Sequence, residues 1–456
     1  MSAAERLWVG RRLHFVGVGG AGMSAYARAA RELGAEVSGS DGASGPYVER
    51  LRADGVLDAS IGHDAANVPA GEGVELVYSS AVPAENVERA AARERGVPER
   101  PRAELLAELS ALRRTIAVAG THGKTTTASM LAHALRAAGM DPGWLIGAPI
   151  GGGLPNAHWS TGEWLVIEAD ESDRSMLSLS VEIAVLTNVE LDHHATFSSL
   201  TELREAFAQF LAGASQAVIC NQQELLALRE GPVVAYDTDA LELLGGGSCF
   251  DWHGHAVRLN VPGAHNALDA AGAIAAAELT GAELTGAIEG LAGFEGAGRR
   301  FQLVGEGRRG GQVYEDYAHH PTEIAATLRG ARTLSHERVV AVFQPHLYSR
   351  TALLAREFGT ALALADVVVV LDVYPARERA EDHPGVSGLL IAEATADAAA
   401  GRPVYWLAKF ADAELVLRGL LRQGDVCVVM GAGDVDELAP MLTRRHGQHA
   451  ADGERE

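Results

Sequence analysis

At 456 residues the chain is too long for one hydrophobic core, and roughly two to four domains are expected. Its 47% apolar and 21% charged residues are ordinary for a globular protein, with nothing fibrous or disordered in the balance. Acidic residues outnumber basic ones by 60 to 38, a net charge of −22, which argues against a nucleic-acid partner or an anionic membrane surface.

A phosphorylated ligand is still admissible, because backbone N–H groups, Mg²⁺ and a few arginines can hold phosphates inside an acidic protein. The three cysteines are Cys220, Cys249 and Cys427; the first and last sit in apolar runs and read as reduced core thiols. The first apolar run, residues 13–18, is too short for a signal peptide, and the run 361–371 is interrupted by Asp366. A cytoplasmic protein without a membrane span is expected. Only two lysines occur, Lys124 and Lys409, in a chain whose other basic residues are all Arg. A retained Lys in such a background marks a position that Arg cannot fill.

Strand-like and helix-like patterns alternate through three segments, which predicts an α/β protein of three domains. Each is expected to be built on a largely parallel sheet with flanking helices: Rossmann-like at the N-terminus, P-loop-type in the centre and Rossmann-like at the C-terminus. The boundaries fall at 1–112, 113–298 and 299–456, with a glycine-rich joint at 293–298. In the first segment a strand over 13–18 is followed by a helix over 23–33 that stops at Gly34. Gly17-Val18-Gly19-Gly20-Ala21-Gly22 lies between them, in the context of a diphosphate-binding turn. Asp41 stands where a ribose-binding acid would. The turn admits either a dinucleotide or a UDP-sugar.

The second segment opens with a strand over 115–119 and the loop Gly120-Thr121-His122-Gly123-Lys124-Thr125-Thr126, which leads into a helix over 125–138. Such a loop presents N–H groups to phosphate, places Lys124 on the transferred phosphoryl group and offers the Thr125 hydroxyl to Mg²⁺. Strict Walker spacing would need Gly where Val118 stands, so this is a shorter variant. Glu168-Ala169-Asp170-Glu171-Ser172-Asp173 follows the next strand and suits a hard cation beside phosphate. Thr187-Asn188-Val189-Glu190-Leu191-Asp192-His193 ends another strand. His193 is open to two readings, a second metal ligand or a surface residue.

In the third segment Asp316-Tyr317-Ala318-His319-His320-Pro321 and Phe343-Gln344-Pro345-His346-Leu347-Tyr348-Ser349-Arg350-Thr351 each follow a strand and precede a helix. Arg299 and Arg300 stand at the joint, where domain closure could bring them onto phosphate; as a bare pair they read equally as surface. The polar tail 447–456 is expected to fray.

Taken in order, these motifs resemble the Mur ligases of peptidoglycan synthesis over nearly the whole chain. Residues 14–23 and 79–82 are similar to the UDP-sugar elements of that family, and residues 120–127 to the ATP loop it shares with folylpolyglutamate synthetases. Residues 168–173, 187–193 and 262–270 match in order. Residues 319–324, 343–351 and 372–378 resemble the L-alanine-adding member. Leu347 departs from the family, which usually has Arg there, and His194 falls where the family varies.

The resemblance implies an ATP-dependent ligase that joins L-alanine to the lactyl carboxylate of UDP-N-acetylmuramate through an acyl phosphate. It places the activity in cell-wall synthesis and hence in cell shape and division. It implies a UDP-sugar site at Gly17, Gly19, Gly20, Ala21, Gly22, Met23, Asp41 and Ser80. ATP would lie on Gly120 to Thr126, with Asn266 at the adenosine and Asp316 at its ribose. Thr125 and Glu168 would hold one Mg²⁺ and His193 a second, and His346 and Arg350 would lie near the amino acid. Lys124, Glu168, His193 and Arg300 would carry the chemistry, in a monomer or weak homodimer. Several relatives bridge Mg²⁺ through a carbamylated lysine, which Lys124, the only lysine in 113–298, leaves no room for. The rival readings are a nucleotide-dependent dehydrogenase, a P-loop switch protein, and a sibling ligase that attaches a recycled peptide to the same sugar.

Overall fold

The computed structural model describes residues 2–192, 196–334 and 337–443. The chain forms two compact units. The first comprises Met1–Asp239, Trp252–Val257 and Leu268–Glu295; the second comprises Ala240–Asp251, Arg258–Ala267 and Gly296–Glu456.

The first unit holds two sheets. In the N-terminal one the strand Arg12–Val16 pairs in parallel with Glu36–Asp41 on one side and Val74–Tyr78 on the other. Ser60–Ile61 and Glu99–Pro101 extend the edges, also in parallel. Helices cover both faces, so residues 13–16 are all buried, as a central parallel strand requires. One of them is polar: His14 Nε2 lies 2.8 Å from Glu88 Oε2, and that carboxylate also accepts from Ser40 Oγ at 2.8 Å and Asn67 Nδ2 at 2.9 Å.

The second sheet has seven strands, with Arg114–Ala119 between Ile183–Leu186 and Trp164–Glu168. Only the edge pair Gly143–Leu145 and Ala157–His158 is antiparallel among the pairings described. Three adjacent parallel strands therefore deliver residues 120–123, 169–173 and 187–190 to one edge of the sheet, the carboxyl end where α/β proteins bind ligands. The two sheets share an apolar core: Phe15, Tyr26, Leu33 and Leu105 cluster with Leu145, Leu165 and Ile167.

A small three-stranded sheet, Asp239–Leu244, Gly247–Trp252 and His255–Leu259, was not expected from the alternating pattern. Its strands are joined by short glycine-containing turns with no helix between them, so a search for βα alternation passes over it.

The second unit is built on six strands in the order Gln302–Glu306, Gln312–Asp316, Asp425–Met430, Arg338–Phe343, Val367–Val370, Val404–Trp406. Only the first pair is antiparallel. One face packs Ile324, Leu328, Phe343 and Phe358, the other Val340, Val342, Leu417 and Leu438. The expected architecture, three α/β domains on mostly parallel sheets, is what the chain forms. Cys220 and Cys427 are buried thiols, and Cys249 is half-buried. Among the described residues no helix is long and apolar enough to cross a membrane. The tail expected to fray lies outside the described residues.

Candidate active site

The glycine loop leaves the strand Arg12–Val16 and runs into the helix Ala21–Glu32, which has no side-chain cap at Gly20. The first N–H groups of such a helix have no partner within it and face whatever sits on the loop. Met23 is buried in that first turn. Asp41 ends the next strand and accepts the Gly19 N–H on Oδ2 at 2.8 Å. The acid expected at a ribose thus also holds the loop in shape. Ser80 is exposed on the turn after Val74–Tyr78, and its neighbour Ser79 lies closer to the loop: a Cβ on Gly17 would be 3.2 Å from that of Ser79.

The loop 120–123 joins the strand Arg114–Ala119 to the helix Lys124–Ala137. It is tied down by the neighbouring strand end. Thr121 N–H donates to the Asn188 carbonyl at 3.2 Å, His122 N–H to Asn188 Oδ1 at 2.9 Å, and Asn188 Nδ2 to the His122 carbonyl at 2.9 Å. His122 Nε2 lies 3.0 Å from Glu190 Oε2. Gly120 has φ +138, and a Cβ there would collide with the Thr187 hydroxyl, so only glycine fits. The amides expected to cradle phosphate at Thr121 and His122 are therefore committed to Asn188. The N–H groups of Lys124, Thr125 and Thr126, in the first turn of the helix, lack intrahelical acceptors.

Lys124 Nζ donates to the carbonyls of Gly120 and Thr121 at 2.6 and 3.1 Å and to Glu171 Oε2 at 2.8 Å. Burial alone would lower its pKa; the negative charges of Glu171, Asp170 and Glu168 outweigh it, and the ammonium is held above its ordinary value. Thr125 Oγ1 donates to Glu168 Oε1 at 2.9 Å, and Gly147 N–H donates to Glu168 Oε2 at 2.6 Å.

The acidic run, expected to face a cation as a group, is divided by the fold. Glu168 meets Thr125, Glu171 meets Lys124, and Asp170 and Asp173 both meet Arg102. Burial pushes the Asp170 carboxyl up, but Arg102 and Lys124 overcome this and hold it far below the usual carboxylate range. The set that fits a hard cation is thus a hydroxyl and a carboxylate, Thr125 and Glu168, side by side at the start of the helix Lys124–Ala137. His193, expected at a second Mg²⁺, lies outside the described residues.

The second unit gathers its own cluster at the carboxyl ends of Gln312–Asp316 and Arg338–Phe343. Asp316 accepts N–H groups from Phe301 at 2.8 Å and Ala318 at 2.7 Å, and burial pushes its pKa up to about 6 against the pull of Arg300. Arg299 and Arg300 are not a bare surface pair, since both guanidinium groups stand about the Tyr317 ring, at 5.0 and 5.2 Å from its centroid. His346 stacks on Tyr374 with centroids 5.8 Å apart and faces His319 edge-on at 6.1 Å. The buried Arg350 places Nη1 3.5 Å from His346 Nδ1. His320 is used in capping: Glu323 Oε2 accepts the N–H of His319 and of His320, at 2.9 and 3.2 Å. Leu347 precedes the helix Tyr348–Leu353 with φ +72, a strained backbone for leucine. Asn266 Nδ2 donates to the Pro262 carbonyl at 2.7 Å.

Sequence reasoning did not single out Arg102 or Tyr47, gave Tyr374 only as part of the stretch 372–378, and gave Glu171 no partner. The scarcity of lysine was the one usable signal for Glu171, because a buried ammonium needs a buried anion. The contacts of Arg102 and Tyr47 span about 70 and 100 residues of chain and leave no local pattern.

Comparison with known proteins adds an independent observation. Three family models match in succession: "Mur ligase family, catalytic domain" over residues 12–114, "Mur ligase middle domain" over 118–277 and "Mur ligase, glutamate ligase domain" over 299–433. The chain is 43% identical to a UDP-N-acetylmuramate–L-alanine ligase of a Mycobacterium species (strain JLS), covering 95% of this chain and 94% of that protein. It is 45% identical to the ligase of the same name from Kineococcus radiotolerans, covering 94% and 95%. Among solved structures it resembles the UDP-N-acetylmuramate–alanine ligase of Thermotoga maritima, with a TM-score of 0.81, 27% identity, and 97% and 100% coverage. A glycine loop on one sheet and a lysine loop with a hydroxyl–carboxylate pair on the next, matched in succession by three domain models, have one reading: the chain belongs to the Mur ligase family.

Proposed function

We propose that the chain is an ATP-dependent ligase that joins L-alanine to the lactyl carboxylate of UDP-N-acetylmuramate in peptidoglycan precursor synthesis, acting in the cytoplasm. The observation that carries this is the buried Lys124–Glu171 pair beside Thr125–Glu168 at the head of one helix. A dehydrogenase has no use for it, and a switch protein leaves the glycine loop and the cluster around His346 idle.

A carboxylate is a poor acceptor for an amine, so it must first be activated. A lactyl carboxylate oxygen attacks the γ-phosphorus of ATP, ADP leaves, and an acyl phosphate forms. The amine of L-alanine then adds to the acyl carbon, and the tetrahedral intermediate expels phosphate with the carboxylate oxygen it gained. Lys124 keeps its charge through the cycle and neutralises the phosphoryl oxygens as they move. The N–H groups at the start of Lys124–Ala137 bind the same oxygens. Thr125 and Glu168 would hold one Mg²⁺, which would supply further charge neutralisation on the phosphates, and His193 would serve a second.

The diphosphate of the sugar nucleotide lies on the loop from Gly17 to Gly22, with Asp41 and Ser80 at its rim. Arg350 takes the carboxylate of L-alanine, beside the ring of His346. By the resemblance, Asn266 would meet the adenosine of ATP and Asp316 its ribose, and Arg300 would neutralise charge as the γ-phosphoryl group moves. The domain limits 1–112, 113–298 and 299–456 then correspond to sugar-nucleotide, ATP and amino-acid binding.

The test is phosphate release from ATP with UDP-N-acetylmuramate against a panel of amino acids and short peptides. Release should follow L-alanine. Release that follows a peptide instead assigns the chain to the recycling ligase, and none with any acceptor contradicts the proposal.

A further inference from the structure

Arg102 opens the helix Arg102–Ser110 on the N-terminal sheet, yet its side chain points to the ATP-side loop. Nε donates to Asp173 Oδ2 at 2.8 Å and Nη2 to Asp170 Oδ2 at 2.8 Å, with Nη2 also 2.6 Å from Asp173 Oδ2. The opposite edge of the same guanidinium faces the glycine loop: a Cβ on Gly22 would lie 3.3 Å from Nη1. One planar cation thus touches the first turn of Ala21–Glu32, where diphosphate charge collects, and the loop that carries Glu168 and Glu171.

We propose that Arg102 is a positioning residue that couples the two sites, so that filling the glycine loop orders the acidic loop for phosphoryl transfer. This rests on the function proposed above. Asp170 stands between Glu168 and Glu171 in sequence, and its other oxygen accepts the Ser172 N–H at 2.9 Å, so fixing Asp170 fixes the turn that aims both glutamates. The Arg102 side chain is only 15% exposed, so its charge acts across little water. Lysine cannot replace it, because one ammonium does not serve two carboxylates and a third direction with fixed geometry. A second tie runs in parallel: Tyr47 Oη donates to the Gly147 carbonyl at 2.8 Å, and Gly147 N–H donates to Glu168 Oε2 at 2.6 Å. An anion on Gly22 gives the Nη1 edge a partner and stiffens the guanidinium that holds Asp170 and Asp173. By reciprocity, nucleotide at the Lys124 loop must then tighten the sugar nucleotide by the same factor.

The experiment is titration calorimetry on the full chain, with UDP-N-acetylmuramate bound alone and with Mg²⁺ and a non-hydrolysable ATP analogue. Wild type, Arg102→Lys and Asp173→Asn are compared, with melting curves as a check of folding. The analogue should tighten UDP-N-acetylmuramate binding to wild type by at least about fivefold, the lower end of ordinary coupling. In both variants that factor should fall close to one, while Asp173→Asn binds UDP-N-acetylmuramate alone about as well as wild type. A merely structural strut would lower the melting temperature and leave the factor intact. Should Arg102→Lys fail to fold, Asp173→Asn decides, since it keeps the guanidinium and its contact with Asp170. Wild-type coupling retained in a folded variant, or absent from wild type, overturns this inference alone. Wild type that does not bind UDP-N-acetylmuramate at all overturns the proposed function with it.

Discussion

Lys124 Nζ lies 2.8 Å from Glu171 Oε2 and 3.1 Å from Oε1, and Glu171 has no exposed surface. Glu171 keeps Lys124 protonated and fixed in place at the head of the helix Lys124–Ala137. A surface lysine would trade its charge with solvent and its position with rotamers; this one can do neither, because two carbonyls and a buried carboxylate fix it.

Lys124→Arg should therefore fold and lose at least about a hundredfold in kcat, the size of effect expected when one group that stabilises a moving charge is displaced. Glu171→Gln should instead lower stability, by about 3 kcal/mol, because it strands a buried ammonium. Steady-state phosphate release and denaturant titration separate the two. Arginine at 124 turning over at the wild-type rate would mean that the loop does not hold the transferred phosphate.

The hydroxyl–carboxylate pair Thr125–Glu168 makes a different prediction. Glu168→Gln should raise the Mg²⁺ concentration for half-maximal turnover by about tenfold or more, with the fold intact. Because Lys124 is committed to Glu171 and Lys409 belongs to the other unit, no lysine is left to form a carbamate. Wild-type activity should be the same in CO₂-depleted buffer with and without bicarbonate. A Mg²⁺ titration under both conditions checks this, and strong bicarbonate rescue would contradict it.

These assignments show what the sequence carries. The lysine loop, the glycine turn and the strand-end acids are local patterns whose chemistry follows from residue type and spacing, so their placement on the sheets could be read directly. The sorting of the acidic run could not. Glu168, Asp170, Glu171 and Asp173 look alike in sequence, and their partners Thr125, Arg102 and Lys124 are brought to them by strand order. The use of the Thr121 and His122 amides by Asn188 was hidden for the same reason. The three-stranded sheet was missed because it has no helix to set its rhythm.

Asp316 gives a pH signature. Its pKa is raised from 3.8 to about 6 by burial, so it binds a proton more readily in the folded chain than in the unfolded one. The stability this confers is complete below 3.8 and lost as pH rises through 6. Across that window wild type should lose about 3 kcal/mol relative to Asp316→Asn, which does not titrate. The difference in unfolding free energy between the two, followed from pH 4 to pH 7, isolates this group from every other carboxylate. A flat difference would mean that Asp316 titrates normally.

The glycine loop should bind UDP-N-acetylmuramate and not NAD. The natural shortcut, testing residues 1–110 alone, is ruled out by the core that Phe15, Tyr26 and Leu105 share with Leu145, Leu165 and Ile167, since cutting there exposes an apolar face. Calorimetry on the full chain with each ligand is the right form. Tight NAD binding without UDP-N-acetylmuramate binding would return the loop to the dehydrogenase reading.

The central claim is that the lactyl carboxylate is activated as an acyl phosphate before L-alanine attacks. The most direct measurement uses UDP-N-acetylmuramate carrying ¹⁸O in that carboxylate, with ATP, Mg²⁺ and L-alanine, and mass analysis of the released phosphate. The oxygen that attacks the γ-phosphorus stays on phosphorus when the amine displaces it, so one ¹⁸O should appear in each phosphate formed from doubly labelled substrate. Phosphate free of label, with L-alanine ligated, would contradict the account.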